Sequence, residues 1–279
     1  MRALFLIPGT AARQLQIFPA VAAVGDQLHA QVQVACPPEA AAWWDLHPAV
    51  EKVIPFPFAS ANLADWANLL GSVREPDFQL VVNLASGRQV DLMLSMSHIP
   101  TRVAAGGFSA TETVKPAGGW PAQAMEAYLK PIGVSLDAGA FRLPVAQADL
   151  EAAAAQLPSG SGPLLLLARS SPLGDWPADC WRELPERIRA RLSDLRVLDT
   201  GADGTAAKPR QRVARLASAD VVLASDPVSI ELALLLGLPL VALAPASPLP
   251  ERQGVQAVGQ PGTLNTVGID AVLAALGFA

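Results

Sequence analysis

Apolar residues in this chain gather in short runs separated by segments of helical spacing. The runs fall at Ala3 to Ile7, Val32 to Cys36 and Gln79 to Leu84, and Val50 to Ile54, interrupted by Glu51 and Lys52, reads as a further strand. Runs of this length, closed by Gly and Pro, predict strands covered on both faces. Between them, Arg13 to Val24 places Leu15, Phe18 and Val21 or Ala22 on one face, as a helix packed on a sheet requires. Ala40 to Leu46, Leu63 to Leu70 and Gln89 to Ser97 read as further helices, and Arg102 to Ala104 as a short strand. From Gly106 to Pro131 the pattern weakens, predicting a long surface loop with a helical turn at Met125 to Leu129. An Ala-rich helix at Ala148 to Leu157 then ends in Pro158-Ser159-Gly160-Ser161-Gly162, a flexible composition. The alternation restarts beyond it: strands at Leu164 to Ala168 and Arg196 to Leu198, helices at Ala178 to Leu192 and Arg210 to Ser218.

The densest stretch is Arg215 to Pro245. Val221 to Ala224 is a buried strand stopped by Ser225-Asp226-Pro227. Asp226 suits an N-cap and Pro227 the first helical position, where a missing N–H costs little. Ile230 to Leu236 continues as a buried helix, Gly237 suits its C-terminus, and Leu240 to Leu243 is the next strand. Gln256 to Val258 reads as a last strand and Ile269 to Leu276 as a terminal helix. Strand–helix alternation of this kind predicts parallel sheets with helices on both faces. The turn at Asp226 then aims a helix N-terminus out of the carboxyl end of a sheet, which favours a phosphate group.

A chain of 279 residues is long for one core, so two domains are expected, 1–145 and 146–279. Hydrophobic residues at 51% against 16% charged exclude disorder. A net charge of −5 without a Lys/Arg run argues against nucleic acid as a partner. Cys36 and Cys180 cannot form a disulfide framework, which fits a reducing cytoplasm, and both are expected in the core. The run at Ala3 to Ile7 is too short for a signal peptide and is broken by Pro8-Gly9. Leu232 to Ala246, the longest apolar stretch, is interrupted by Gly237, Pro239 and Pro245, so no membrane span is expected.

Several chemistries find no motif. There is no Gly-x-Gly-x-x-Gly, no Walker loop, no Gly-x-Ser-x-Gly elbow and no Cys/His spacing for a metal. His29, His47 and His98 are scattered, and turn or surface positions are expected for them.

The ordered set of segments resembles the ADP-heptose:lipopolysaccharide heptosyltransferases, glycosyltransferase family nine. MRALFLIPGT followed by Phe18-Pro19-Ala20 resembles their strand, glycine turn and helix start. His47-Pro48-Ala49-Val50-Glu51-Lys52-Val53-Ile54-Pro55 is similar to their Asn-Pro-x-Val-Asp-x-Val-Ile-Pro. Gln79 to Leu84 resembles their fourth strand. Trp176-Pro177 with Trp181 and Leu184 is similar to their Lys-x-Trp-Pro…Trp-x-x-Leu, and the Asp226 turn resembles their Asn-Asp-Ser-Gly-Pro-x-His helix start. The resemblance implies a GT-B-like α/β architecture: two Rossmann-like domains whose parallel sheets face a central cleft. It implies inverting transfer of a sugar from a nucleotide-diphosphate donor, ADP-linked, without a metal or other cofactor. The acceptor would be a saccharide or glycolipid of the envelope, held by the N-terminal domain in the cytoplasm or at the inner membrane surface.

The chain departs from that pattern where the chemistry is done. The family's base, an Asp in the first turn, is matched by Arg13, and a guanidinium cannot accept the proton. Its Lys before Trp-Pro is matched by Gly174, its Ser/Thr-Gly after the Asp by Pro227-Val228, and its His by Glu231. The donor candidates are therefore Asp226, Ser225, Ser229, Glu231, Arg169, Ser170 with Ser171, and Gly201 within Asp199 to Asp203. The acceptor candidates are Thr10, Arg13, Arg88 and Arg102. Asp91 and Glu112 are the carboxylates available as a substitute base, while Lys208 and Arg210 read as surface charges. An active but divergent glycosyltransferase is the first expectation. A catalytically inactive relative that binds a nucleotide, glycan or protein is the second, and a nucleotide-sugar epimerase fits the first-turn and helix motifs less well.

Overall fold

The computed structural model describes residues 1–74, 77–170, 175–201 and 207–278. It separates into two compact units, Met1–Phe141 and Arg142–Ala279. Each contains a parallel sheet between helices, as the alternation of runs predicts.

In the first unit, β1 (Arg2–Leu6), β2 (Gln31–Cys36), β3 (Val50–Pro55), β4 (Leu80–Asn83), β5 (Thr101–Ala104) and β6 (Glu112–Thr113) line up in the order β3-β2-β1-β4-β5-β6. All their described pairings are parallel. The connections are α1 (Ala11–Leu28), a 3₁₀ helix (Pro38–Leu46), α2 (Leu63–Arg74) and α3 (Arg88–Met96). Ala3 to Ile7 lie at 0% exposure, which explains why the run does not alternate. Leu4 and Leu6 pack into a cluster with Trp66 and Leu69 of α2 and Met93 and Leu94 of α3. Each such fully buried large side chain stabilises the unit by about 1.5–3 kcal/mol.

In the second unit, β7 (Leu164–Ala168), β8 (Arg196–Asp199), β9 (Val221–Ala224), β10 (Leu240–Leu243) and β11 (Val255–Val258) form a sheet in the order β11-β10-β9-β7-β8. Two short helices of the first unit, α4 (Pro121–Ala124) and α5 (Glu126–Leu129), precede α6 (Gln147–Ala154) in the chain. The remaining helices of the second unit are α7 (Ala178–Arg189), α8 (Pro209–Ala217), α9 (Pro227–Leu236) and α10 (Ile269–Ala275). Helix α9 is buried almost all round, from Ser229 through Leu235, so its ends must be satisfied internally. Asp226 caps its start, Gly237 ends it in the left-handed region, and Arg252 donates to the carbonyls of Leu234 and Leu238 at 3.3 and 3.1 Å.

Four expectations need correction. The segment Gly106 to Pro131 is not one long loop: it pairs β6 with β5 and then forms α4, α5 and a 3₁₀ turn. Ala40 to Leu46 lies in a 3₁₀ rather than an α-helix. His47 is not at the surface but 4% exposed, because its ring bridges α1 and the following turn. Cys36 is buried as expected, whereas Cys180, on the first turn of α7, is only partly covered.

Candidate functional site

Both sheets reverse direction of winding next to their first strand, and open α/β sheets bind ligands outside the carboxyl ends of their strands at such a point. In the second unit that point lies between β7 and β9. The backbone there is tied together. Ser225 N and Asp226 N both donate to Ala168 O, and Ser170 N donates to Ser225 Oγ at 2.9 Å. Arg169, at the end of β7, forms an ion pair with Asp199 at the end of β8, and its guanidinium lies 5.4 Å from the centre of the Trp181 ring. Among the described residues, Arg169 Nε is buried without a hydrogen-bond partner. Gly201 N donates to Asp199 Oδ1 at 2.9 Å, and Gly201 has φ +49, so the chain turns tightly around that carboxylate.

The structure thus brings Arg169, Ser170, Gly201, Ser225, Asp226 and Ser229 together around the ends of three neighbouring strands, β8, β7 and β9. Glu231 lies one turn further along α9 and is 7% exposed. Gly174, Ser171, Ala202 and Asp203 lie outside the described residues. Lys208 and Arg210 are exposed at the start of α8, where Arg210 faces Asp149 at 3.8 Å.

Asp226 has two structural duties. Its Oδ2 accepts from Ser229 N at 2.6 Å as the helix cap and pairs with Arg212 of α8. Arg212 Nη2 also donates to Ser229 Oγ at 2.8 Å. Burial lowers the Arg212 pKa from its ordinary value, and Asp226 opposes that shift. Sequence reasoning passed over Arg212. Its signal was a cation four residues before Leu216, on the apolar stripe of an otherwise amphipathic helix.

In the first unit the reversal point lies between β1 and β4. A cavity of 510 Å³ opens there, lined by the turns after β1 (Pro8 to Thr10), β2 (Pro37 and Glu39), β3 (Pro57 to Ser60) and β4 (Ala85 and Ser86), with Trp66 of α2. A second cavity of 350 Å³ shares Ala85 and Ser86 and continues to Asp91, Gly107 and Tyr128. The first turn is held by Gln14, which is fully buried. Its Nε2 donates to Ile7 O and Gly9 O at 3.0 and 3.3 Å, and its Oε1 accepts from Trp44 Nε1 at 3.0 Å.

Thr10 is the N-cap of α1 and also lines the larger cavity. Arg13 donates to Gln16 Oε1 at 3.3 Å and bears electrostatically on Tyr128, whose pKa is raised by burial against the pull of Arg13. Arg88 is exposed at the start of α3. Arg102 donates from Nε to Ser109 O at 2.5 Å and from Nη1 to Ile99 O, so its guanidinium braces the loop after β5. Of the two candidate bases, Asp91 is 7% exposed on the wall of the smaller cavity and accepts from Ser109 Oγ at 2.6 Å. Glu112 is exposed on the two-residue edge strand β6. Among the described residues no group of His, Cys, Asp and Glu could hold a metal ion, and no helix is long and apolar enough to cross a membrane.

No family model matches the chain, and no curated protein matches it in sequence. Solved structures do match. The E. coli ADP-heptose LPS heptosyltransferase II superposes with a TM-score of 0.75 at 16% identity, over 99% of this chain and 98% of that one. A family 9 glycosyl transferase from Veillonella parvula gives 0.76 at 12% identity, over 99% and 96%. E. coli heptosyltransferase WaaC with ADP-2-deoxy-2-fluoro heptose gives 0.68 at 17%, over 99% of both chains. The chain has the α/β fold of these transferases, as its sequence segments predict.

Proposed function

We propose that the chain is a glycosyltransferase. It moves a sugar, with inversion, from a nucleotide-diphosphate donor to a saccharide acceptor of the envelope type. The carrying observation is the tied pair of strand ends in the second unit, where Arg169, Ser170 and Ser225 stand beside the N-terminus of α9. That combination supplies a cation, hydroxyls and a helix dipole for a diphosphate. Likeness of fold to a transferase solved with ADP-2-deoxy-2-fluoro heptose supports an ADP-linked donor.

In this reading the donor sits on the second unit and the acceptor on the first. An acceptor hydroxyl oxygen attacks the anomeric carbon, the bond from that carbon to the diphosphate oxygen breaks, and the electron pair leaves with the nucleotide diphosphate. The hydroxyl proton passes to a carboxylate. Asp91 takes that role rather than Glu112, because it lines a cavity at the sheet's carboxyl edge. Charge on the leaving diphosphate is met by Arg169 and backbone N–H groups, so the reading asks for no metal. The protein would work in the cytoplasm, at the inner surface of the membrane.

The test is calorimetric binding of ADP, UDP and GDP, followed by transfer assays with the sugar nucleotide of the best binder. One nucleotide is expected to bind, at least tenfold more weakly to Arg169→Ala, and Asp91→Asn is expected to slow transfer by about 10²–10⁴ without weakening that binding. No binding of any of the three, together with no turnover, would sink the proposal and leave an inactive binding protein.

A further inference from the structure

The larger cavity of the first unit says something about the acceptor that the fold does not. It is assembled from the turns that follow β1, β2, β3 and β4, at the reversal point of the sheet. Its volume of 510 Å³ lies in the range of small-ligand pockets and is ample for one or two sugar rings. Its walls are aromatic and proline surface: Phe58 and Trp66, with ring centroids 6.3 Å apart, and Pro8, Pro37 and Pro57. The polar groups on it are hydroxyls, Thr10, Ser60 and Ser86, and one carboxylate, Glu39. Among the described residues that line it there is no lysine or arginine. Of the cations that the sequence offered for an anionic acceptor, Arg102 braces a loop, Arg13 lies against Gln16, and Arg88, exposed at the start of α3, is not on the cavity lining.

Resting on the transferase reading, we propose that this cavity selects an uncharged saccharide as acceptor and rejects an acidic one. The chemistry is direct. The C–H face of a pyranose packs on Phe58 and Trp66, while Glu39, an acceptor at both oxygens, takes hydrogen bonds from neighbouring ring hydroxyls. A carboxylate or phosphate on the ligand would meet the like charge of Glu39 with no lysine or arginine on the described lining to offset it, which disfavours it. Glu39 follows β2 and stands at the start of the 3₁₀ helix, exposed, so replacing it leaves the core untouched.

The experiment is saturation-transfer NMR titration of the full chain, without nucleotide, using the methyl glycosides of glucose, galactose and mannose and the corresponding methyl hexuronides. At least one neutral glycoside is expected to bind saturably, at least tenfold more tightly than its hexuronide. Glu39→Gln should weaken the neutral ligand several-fold, and Glu39→Lys should reverse the preference towards the hexuronide. Phe58→Ala should weaken both ligands alike. A hexuronide that binds the native chain as well as its neutral partner overturns the inference, as does the absence of binding by all three neutral glycosides. Because no nucleotide is present, these outcomes are independent of whether the second unit binds a donor. Nucleotide binding without glycoside binding would defeat this inference alone, and the reverse result would defeat only the transferase reading.

Discussion

Arg212 and Asp226 form a buried ion pair, with side chains 7% and 10% exposed, across the junction of α8 and the start of α9. The carboxylate that caps α9 is therefore already neutralised from within the protein. A buried pair of this kind costs desolvation on both sides and is strongly destabilising only when one partner is removed. Arg212→Ala is expected to lower the unfolding free energy by about 3–5 kcal/mol, measured by urea denaturation. The double variant Arg212→Met with Asp226→Asn should recover a good part of that loss. If Arg212→Ala costs no more than an exposed arginine does, the pair is not holding the helix start. Asp226→Ala, for the same reason, reports on stability as well as on ligand binding, and Arg169→Ala is the cleaner probe of the donor site.

Gly107 and Asp91 set the shape of the smaller cavity. Gly107 has φ +102, a conformation that side chains rarely adopt, and a Cβ there would stand 2.6 Å from Asp91 Oδ2. Gly107→Ala thus combines backbone strain with a clash against a carboxylate held by Ser109. A loss of about 1–3 kcal/mol is expected from the strain alone, read as a shift in the denaturation midpoint. In the transferase reading it should also slow turnover more than it weakens nucleotide binding. A Gly107→Ala variant as stable as the native chain would show that the loop after β5 yields freely.

His47 is expected to make the protein's stability acid-sensitive. Its Nδ1 accepts from Ala49 N at 3.2 Å, which assigns the proton of the neutral ring to Nε2, where it is donated to Phe18 O at 3.0 Å. Burial lowers its pKa from 6.5 to about 4, against smaller opposing effects from the Phe18 hydrogen bond and Asp26. A histidine with a depressed folded pKa favours the native state fully above the unfolded value. That contribution is lost as pH falls from 6.5 towards 4 and does not fall further below it. The expected loss is about 3 kcal/mol across that window. Urea denaturation at a series of pH values checks it: His47→Gln should flatten the profile between pH 6.5 and 4, and an unchanged slope would contradict the assignment.

The sequence by itself determined the two parallel sheets. Continuous apolar runs such as Ala3 to Ile7 and Val221 to Ala224 have one way to bury both faces, and the Gly and Pro punctuation between them leaves room for crossover helices. It also located the Asp226 cap, because Asp before Pro is a local signal that needs no long-range partner. It misjudged Gly106 to Pro131, where a two-residue strand and single-turn helices carry too little periodicity to read.

What only the tertiary structure decided is the partnering. Arg212 meets Asp226 fourteen positions along the chain, Ser170 meets Ser225, and Trp44 meets Gln14. None of these pairings has a sequence period. Each depends on which strand lies beside which, and strand order is set by long-range packing rather than by local propensity. The same reason put Glu39 out of view. Its significance comes from four turns, distant in sequence, that the sheet gathers at one edge.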